Sequence, residues 1–160
     1  MSNAPLGPFV LLSELLTPEH VVVPMVATDK HGAIAELARR LAEQSGGDYD
    51  DVYRAVVRRE QELSTGIGFG VALPHGKSPT VSELSVVAGV APEPVPYDAL
   101  DDKPVRLFFM IVGPEGSAGQ HVKVLSRIAR LVRHDDVRER FLCARTPEEF
   151  QHALLLAEER

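Results

Sequence analysis

The most apolar stretch of the chain is Val105-Arg106-Leu107-Phe108-Phe109-Met110-Ile111-Val112. Apart from Arg106, every residue in it is apolar, and Gly113-Pro114 follows directly. An apolar run of this length that stops at a turn signal is typical of a strand buried on both faces of a sheet. The pattern therefore predicts a central strand over 105–112, around which the other elements must pack.

Other extended segments surround this strand. A continuous apolar run from Leu84 to Ala91, ended by Pro92-Glu93-Pro94, predicts a second buried strand, and Val71-Ala72-Leu73 before Pro74 predicts a brief one. Residues 10–16 and 21–26 are predicted as two short extended pieces separated by a proline-marked turn. The pairing of 84–91 with 105–112 stays open, since their short link permits either an antiparallel hairpin or a crossing connection.

Helical periodicity fills the segments between the strands. Apolar residues recur at helical spacing after Asp29, and Gly46-Gly47 ends that pattern. Further helices are predicted over 48–62, 118–133 and 135–142 and from Thr146 onward. This alternation predicts an α/β fold, a single-domain sandwich over residues 1–160 with a mixed parallel and antiparallel central sheet of about five strands flanked by helices. Residues 1–8 are expected to be flexible and to lie outside the fold.

Composition narrows the class of protein. The net charge of −6 argues against nonspecific nucleic-acid binding, which needs a basic surface. No run approaches the roughly 18 apolar residues of a membrane span, and residues 1–4 lack the basic, apolar start of a secretory signal. We expect a soluble, cytoplasmic protein. Cys143 is the only cysteine, which excludes an internal disulfide; its apolar neighbours predict a buried core position.

The stretch from Arg59 to Lys77 concentrates candidate functional residues. Gly66, Gly68 and Gly70 stand at every second position, which suits positive φ angles and close backbone approach. His75 follows Pro74 at the predicted end of a strand, where a side chain is firmly held but can still reach solvent. Such a histidine can titrate or act as a nucleophile near neutral pH.

Several complementary groups could converge on His75. Arg59 lies at the predicted end of a helix, Ser64 and Thr65 lead the glycine run, and His121 lies in the first turn of another helix. A histidine that attacks phosphorus must be unprotonated at one nitrogen, and an arginine fork suits the phosphoryl oxygens.

Plainer interpretations stay open. His75 after proline could simply cap a turn, and Arg59-Glu60 could be a solvated helix end. A metal site of His75, His121 and Glu60 has suitable ligand types but no short-range spacing to support it. The glycine run lacks the spacing and the lysine of a nucleotide-binding P-loop.

Taken together, these motifs resemble the enzyme IIA component of the sugar phosphotransferase system, of the fructose, mannitol and nitrogen-regulatory type. The resemblance covers nearly the whole chain. It rests on the pair Arg59-Glu60, the loop Thr65-Gly66-Ile67-Gly68-Phe69-Gly70, the motif Pro74-His75-Gly76, the segment from Asp98 to Leu107, and His121 at the start of a leucine-rich helix. Leu73 stands where isoleucine or valine is usual, and Phe69 occupies a variable position.

The resemblance implies a phosphocarrier with no cofactor and no metal. His75 would accept a phosphoryl group from the histidine-containing phosphocarrier protein or its nitrogen-branch counterpart, and would pass it to a IIB component or hold it as a regulatory signal. Arg59 would neutralise the phosphoryl oxygens, and His121 would orient the phosphorylated ring. The docking loop for the partner protein would comprise Thr65, Gly66, Gly68, Phe69, Gly70 and Gly76. Phe69 is either an exposed contact or an anchor of the loop.

Two further functions stay open at this point. A domain of this fold could act as an interaction module that binds a protein partner without phosphotransfer, although intact Arg59, His75 and His121 count against that. A zinc-dependent hydrolase is the third alternative. The branch is also open, because the resemblance fits both sugar-specific subunits and nitrogen regulators.

Overall fold

A computed structural model describes residues 11–159. The N-terminal segment 1–8, expected to be flexible, lies outside the described residues. The helices are α1 (Leu12–Leu15), α2 (Lys30–Ser45), α3 (Tyr49–Glu62), α4 (Ala118–Val132), α5 (Asp135–Cys143) and α6 (Pro147–Glu158). The strands are β1 (Val21–Val22), β2 (Gly66–Gly68), β3 (Val71–Ala72), β4 (His75–Lys77), β5 (Ser85–Val95) and β6 (Val105–Gly113). Short 3₁₀ turns cover Pro18–His20 and Glu115–Ser117.

β6 is the centre of the sheet, as the sequence predicts. The strands follow the order β1-β5-β6-β3-β2, and β4 also pairs with β6. β5 runs antiparallel to β6, which settles the open pairing as a hairpin, while β3 and β4 both run parallel to β6. The sheet is therefore mixed, and its interior strand supports the segment that carries His75.

Helices cover both faces of this sheet. Alternate residues of β6 enter separate cores: Leu107, Phe109 and Ile111 pack toward α1, α4, α5 and α6. Phe108, Met110 and Val112 pack toward α2 and α3. Because successive side chains of a strand point to opposite faces, one apolar strand supplies both cores. The predicted α/β sandwich is confirmed.

The N-terminal prediction is wrong in part. Residues 10–16 were expected to be extended, yet Leu12–Leu15 form a helical turn whose Leu12 is fully buried. The backbone N–H groups of Leu12 and Ser13 donate to the carboxylate of Glu158, 2.5 and 3.1 Å away. A distant carboxylate therefore caps the turn, a contact that local sequence cannot show. Of the second extended piece, Val21–Val22 pair with β5, and the N–H of Met25 adds one backbone hydrogen bond to the carbonyl of Val90 in β5.

The prediction of a buried Cys143 is also wrong. The buried residues of α5 are Val137 and Phe141, and Cys143 is exposed. Residues two positions apart on a helix point in different directions, so Cys143 cannot share the buried face of Phe141. Its apolar neighbours in sequence do not predict its exposure.

His75 begins a strand rather than ending one. Val71 and Ala72 lie opposite Leu107 and Phe108, and His75 resumes the same parallel pairing opposite Ile111. Between the two pieces, the carbonyl of Pro74 accepts the backbone N–H of Ile111, so the interrupted segment stays attached to β6. Within residues 11–159, no helix is both long enough and apolar enough to cross a membrane.

Candidate functional site

The ring of His75 is fixed by a hydrogen bond to its own segment. Its Nδ1 lies 2.8 Å from the carbonyl oxygen of Leu73. Because a carbonyl oxygen only accepts, Nδ1 must carry the hydrogen, and in the neutral ring Nε2 is unprotonated. Burial lowers the pKa of His75, the bond to Leu73 opposes that change, and the charge of Arg59 lowers the pKa further. The net effect keeps Nε2 available as a nucleophile.

His121 lies beside His75 in the first turns of α4. The two ring centroids are 6.5 Å apart at an interplanar angle of 62°. His121 is buried, and its Nε2 has no hydrogen-bond partner among residues 11–159. Burial, together with the charges of His75 and Lys77, lowers the pKa of His121 to about 4, so the ring is neutral at physiological pH. A buried ring nitrogen without a partner costs roughly 1–3 kcal/mol.

Both histidines border one shallow pocket of about 360 Å³. Its charged lining residues are Arg58, Arg59, Glu62, Lys77 and Glu115. With neutral histidines, three cations therefore face two carboxylates, in a chain whose net charge is −6. This local positive excess suits an anionic group.

Arg59, His75 and His121 therefore converge as predicted, whereas Ser64 and Thr65 do not line this pocket. Arg59 is half-buried, and its Nη1 donates to the carbonyl of Leu63, 2.8 Å away. That bond ties the guanidinium to the end of α3. Sequence reasoning missed Arg58 and Lys77 as members of the site; each adjoins a predicted site residue or its glycine neighbour, which is the signal that could have identified them.

Glu60 is buried at the end of α3, so it is not a solvated helix end. Its carboxylate is buried, forms an ion pair of 2.7 Å with Lys30, and accepts hydrogen bonds from the hydroxyls of Thr65 and Tyr97 at 2.5 and 3.2 Å. It also accepts the backbone N–H of Thr65. Burial alone would raise the pKa of Glu60, but hydrogen bonds from Lys30, Thr65 and Ser64 outweigh burial and lower it. Glu60 is therefore fixed as a carboxylate.

The carboxylate of Glu60 is connected to the ring of His75 by a chain of hydrogen bonds through the backbone. Glu60 holds Thr65, the carbonyl of Thr65 accepts the N–H of Leu73 at 2.9 Å, and the carbonyl of Leu73 accepts Nδ1 of His75. Three consecutive hydrogen-bonded links thus join the end of α3 to the imidazole. No group of three or more His, Cys, Asp or Glu residues within the described part of the chain is arranged to hold a metal ion.

The tip of the glycine loop lies near the start of β6, away from His75. Gly68, Phe69 and Gly70 all have positive φ, at 93°, 60° and 73°, and form the turn between β2 and β3. The carbonyl of Gly70 accepts the backbone N–H of Arg106 at the start of β6, whereas His75 lies opposite Ile111. Five residues of strand separate those positions, about 16 Å. The tip of the loop is therefore remote from the histidine.

The expected docking residues accordingly divide into two groups. Thr65 and Gly66 are buried away from the pocket, whereas Gly76 is buried but lines the pocket beside His75. A Cβ on Gly66 would lie 2.5 Å from the Cβ of Ala99, and one on Gly76 would lie 3.0 Å from the backbone of Ala55 in α3. These two glycines permit close packing. Phe69 is 58% exposed, with the guanidinium of Arg138 4.6 Å from its ring centroid.

Comparison with known proteins agrees with this fold. Residues 14–156 match the model of the family described as phosphoenolpyruvate-dependent sugar phosphotransferase system, EIIA 2. A nitrogen regulatory protein of Bradyrhizobium diazoefficiens is 32% identical over 91% of this chain and 95% of its own. A fructose-specific EIIA component of the phosphotransferase system from Haloferax volcanii is 39% identical over 78% of this chain and 82% of its own.

Solved structures give the same result. The crystal structure of the nitrogen regulatory protein IIA-Ntr from Neisseria meningitidis superposes with a TM-score of 0.83, at 34% identity, over 89% of this chain and 98% of that one. The fold and the comparisons thus define a component of the phosphotransferase system. The chain belongs to its EIIA type 2 family, which confirms the resemblance found in the sequence.

Proposed function

We propose that this protein is a phosphocarrier that accepts a phosphoryl group on Nε2 of His75 from a phosphohistidine carrier protein. It then passes the group to a IIB component or holds it as a regulatory signal. The observation that carries the proposal is the hydrogen bond from Nδ1 of His75 to Leu73, which leaves Nε2 unprotonated beside a pocket with excess positive charge.

The transfer needs positioning and charge stabilisation more than covalent chemistry. The lone pair of Nε2 attacks phosphorus while the bond from phosphorus to the carrier's nitrogen breaks, and that nitrogen recovers its electron pair. Positive charge develops on the ring of His75, and the carbonyl of Leu73 stabilises it through Nδ1–H. In the return step, toward a IIB component, the bond from phosphorus to Nε2 breaks as the bond to the acceptor forms, and Nε2 recovers its electron pair.

Arg59 and His121 have separate roles in this proposal. Arg59 borders the same pocket and would neutralise the phosphoryl oxygens with its guanidinium. His121 is neutral, so one of its ring nitrogens carries a hydrogen that can be donated without adding charge. A phosphoryl oxygen on His75 would offer a partner to the buried Nε2 of His121.

The decisive experiment is incubation with phosphoenolpyruvate, the first enzyme of the system and the histidine phosphocarrier of either branch. Intact mass should show one added phosphate that is lost in acid, and His75→Ala should remain unmodified. His152→Ala, which removes an exposed histidine from α6, is the matched control and should be phosphorylated like the parent. A folded protein that takes no phosphate from either carrier would favour the interaction module instead.

A further inference from the structure

A second pocket lies near the start of β6, whereas His75 lies toward the end of that strand. Its volume is about 490 Å³, within the range of small-molecule sites. Residues from three regions line it: Val23 and Pro24 after β1, Val90, Pro92 and Arg106 of the sheet, and Leu142, Cys143, Ala144 and Arg145 at the end of α5. Most of this lining is apolar.

The charges in this pocket are all of one sign. Arg106 and Arg145 line it, and no carboxylate does. Within the described part of the chain, neither arginine is ion-paired with a carboxylate. Nε of Arg106 donates to the carbonyl of Ala91 at 2.9 Å, which holds the guanidinium plane at the pocket. Two arginines thus border a mostly apolar pocket in a chain whose net charge is −6.

The pocket is separate from the phosphorylation site. Arg106 lies at the start of β6, whereas His75 pairs with Ile111 toward its end. The same strand therefore separates the two sites by about 16 Å. The pocket shares no lining residue with the one that contains His75.

We propose that this second pocket binds a small organic anion that combines a carboxylate or phosphate with an apolar group. The two guanidinium groups would bind the anionic end, and Val23, Val90 and Leu142 would cover the apolar end. The inference goes beyond phosphotransfer and does not depend on it.

Cys143 makes the proposal testable on the intact protein, because it is the only cysteine and it lines the pocket. The rate at which neutral N-ethylmaleimide modifies Cys143 is measured against increasing 4-phenylbutyrate, 4-phenylbutylamine or inorganic phosphate. Amide shifts of Val90, Leu142 and Arg145 are followed in the same titrations. We expect 4-phenylbutyrate to slow labelling and to shift these amides at concentrations about tenfold lower than the amine or inorganic phosphate.

Two variants distinguish the pocket from the general surface. Arg145→Gln should raise the half-protecting concentration of 4-phenylbutyrate about tenfold. Arg140→Gln removes the same charge from α5 outside this pocket and should change it by less than about twofold. Equal effects of the two variants, equal action of the acid and the amine, or neither protection nor amide shifts would overturn the proposal. Because labelling needs no phosphoryl donor, the outcome is independent of the result for His75.

Discussion

His75 and His121 are both kept neutral by burial, but their hydrogen bonds differ. Nδ1 of His75 has the carbonyl of Leu73 as a fixed partner, whereas Nε2 of His121 has none among the described residues. In the proposed function, the ring of His75 would act as the nucleophile, and the buried nitrogen of His121 would find its partner in a phosphoryl oxygen. A neutral buried histidine also makes stability depend on pH.

The substitution His121→Gln should reduce the loss of stability in acid. The pKa of His121 is about 4 in the native protein and 6.5 ordinarily, so the unfolded chain binds the proton first as pH falls. Protonation therefore favours unfolding between these values, by roughly 2 kcal/mol at pH 4.5. Urea unfolding at pH 7 and pH 4.5 measures the change. Equal acid losses in the variant and the parent would show that His121 does not titrate in this way.

Glu60→Gln should destabilise the protein by roughly 3 kcal/mol, because Lys30 would be left without its buried ion-pair partner. Phosphotransfer to His75 should also slow, since the links through Thr65 and Leu73 start at this carboxylate. Urea midpoints and transfer rates are compared with those of Asp50→Asn, an exposed change on the same helix that lies outside the pocket. If both variants behaved alike, the buried carboxylate would not hold the loop.

At the scale of elements, the segment that carries His75 is one strand in two pieces, β3 and β4. β3 and β4 both pair in parallel with β6, and Leu73-Pro74 separates the two pieces. At this interruption the carbonyl of Leu73 accepts the hydrogen bond from Nδ1 of His75. The interruption frees that carbonyl from ladder pairing, and the flanking strand pieces fix its position. α3 packs directly on β4, which requires the glycine that follows the histidine.

Gly76→Ala should test this close packing. The added Cβ would lie 3.0 Å from the carbonyl carbon and 3.1 Å from the oxygen of Ala55, and backbone atoms of a helix cannot move aside cheaply. We expect a loss of about 1–3 kcal/mol and slower phosphotransfer. Gly116→Ala, with nothing within 4 Å of the new atom, is the control and should be nearly neutral. Chemical denaturation measures both; similar midpoints would mean that α3 shifts freely.

At the scale of the whole molecule, two exposed surfaces lie apart although their residues are close in sequence. They are the turn around Phe69 and the surroundings of His75. The turn around Phe69 lies at the start of β6, and His75 lies toward its end. Two exposed apolar residues directly follow residues of the His75 pocket in the chain: Leu63 follows Glu62, and Val122 follows His121. A carrier protein that delivers a phosphoryl group to His75 must dock on that side.

Leu63→Asp and Val122→Asp should therefore raise KM for the phosphocarrier protein at least about fivefold, with less effect on kcat. These side chains are 58% and 65% exposed, so folding should be unaffected. Phe69→Asp is the matched control, because Phe69 is also 58% exposed but lies about 16 Å along the sheet. A raised KM for Phe69→Asp alone would instead restore the glycine loop as the docking surface.

Much of the architecture followed from local pattern alone. Hydrophobic periodicity and caps such as Asp29 and Thr146 predicted the long helices, and an unbroken apolar run predicted β6. The grouping of Arg59, His75 and His121 was also predicted from the motifs. Local pattern failed for α1, whose cap comes from Glu158, and for Cys143, whose exposure depends on the side of α5 that faces the core.

The sequence by itself determined the α/β class, the family and the candidate site residues Arg59, His75 and His121, because these depend on short-range spacing and on side-chain type. Only the tertiary structure decided which nitrogen of His75 is unprotonated, that Glu60 is buried, and that the glycine turn lies far from the histidine. The physical reason is that burial, tautomer and strand register depend on contacts between residues distant in the chain. Those contacts exist only once β6 has paired with the strands on both of its sides.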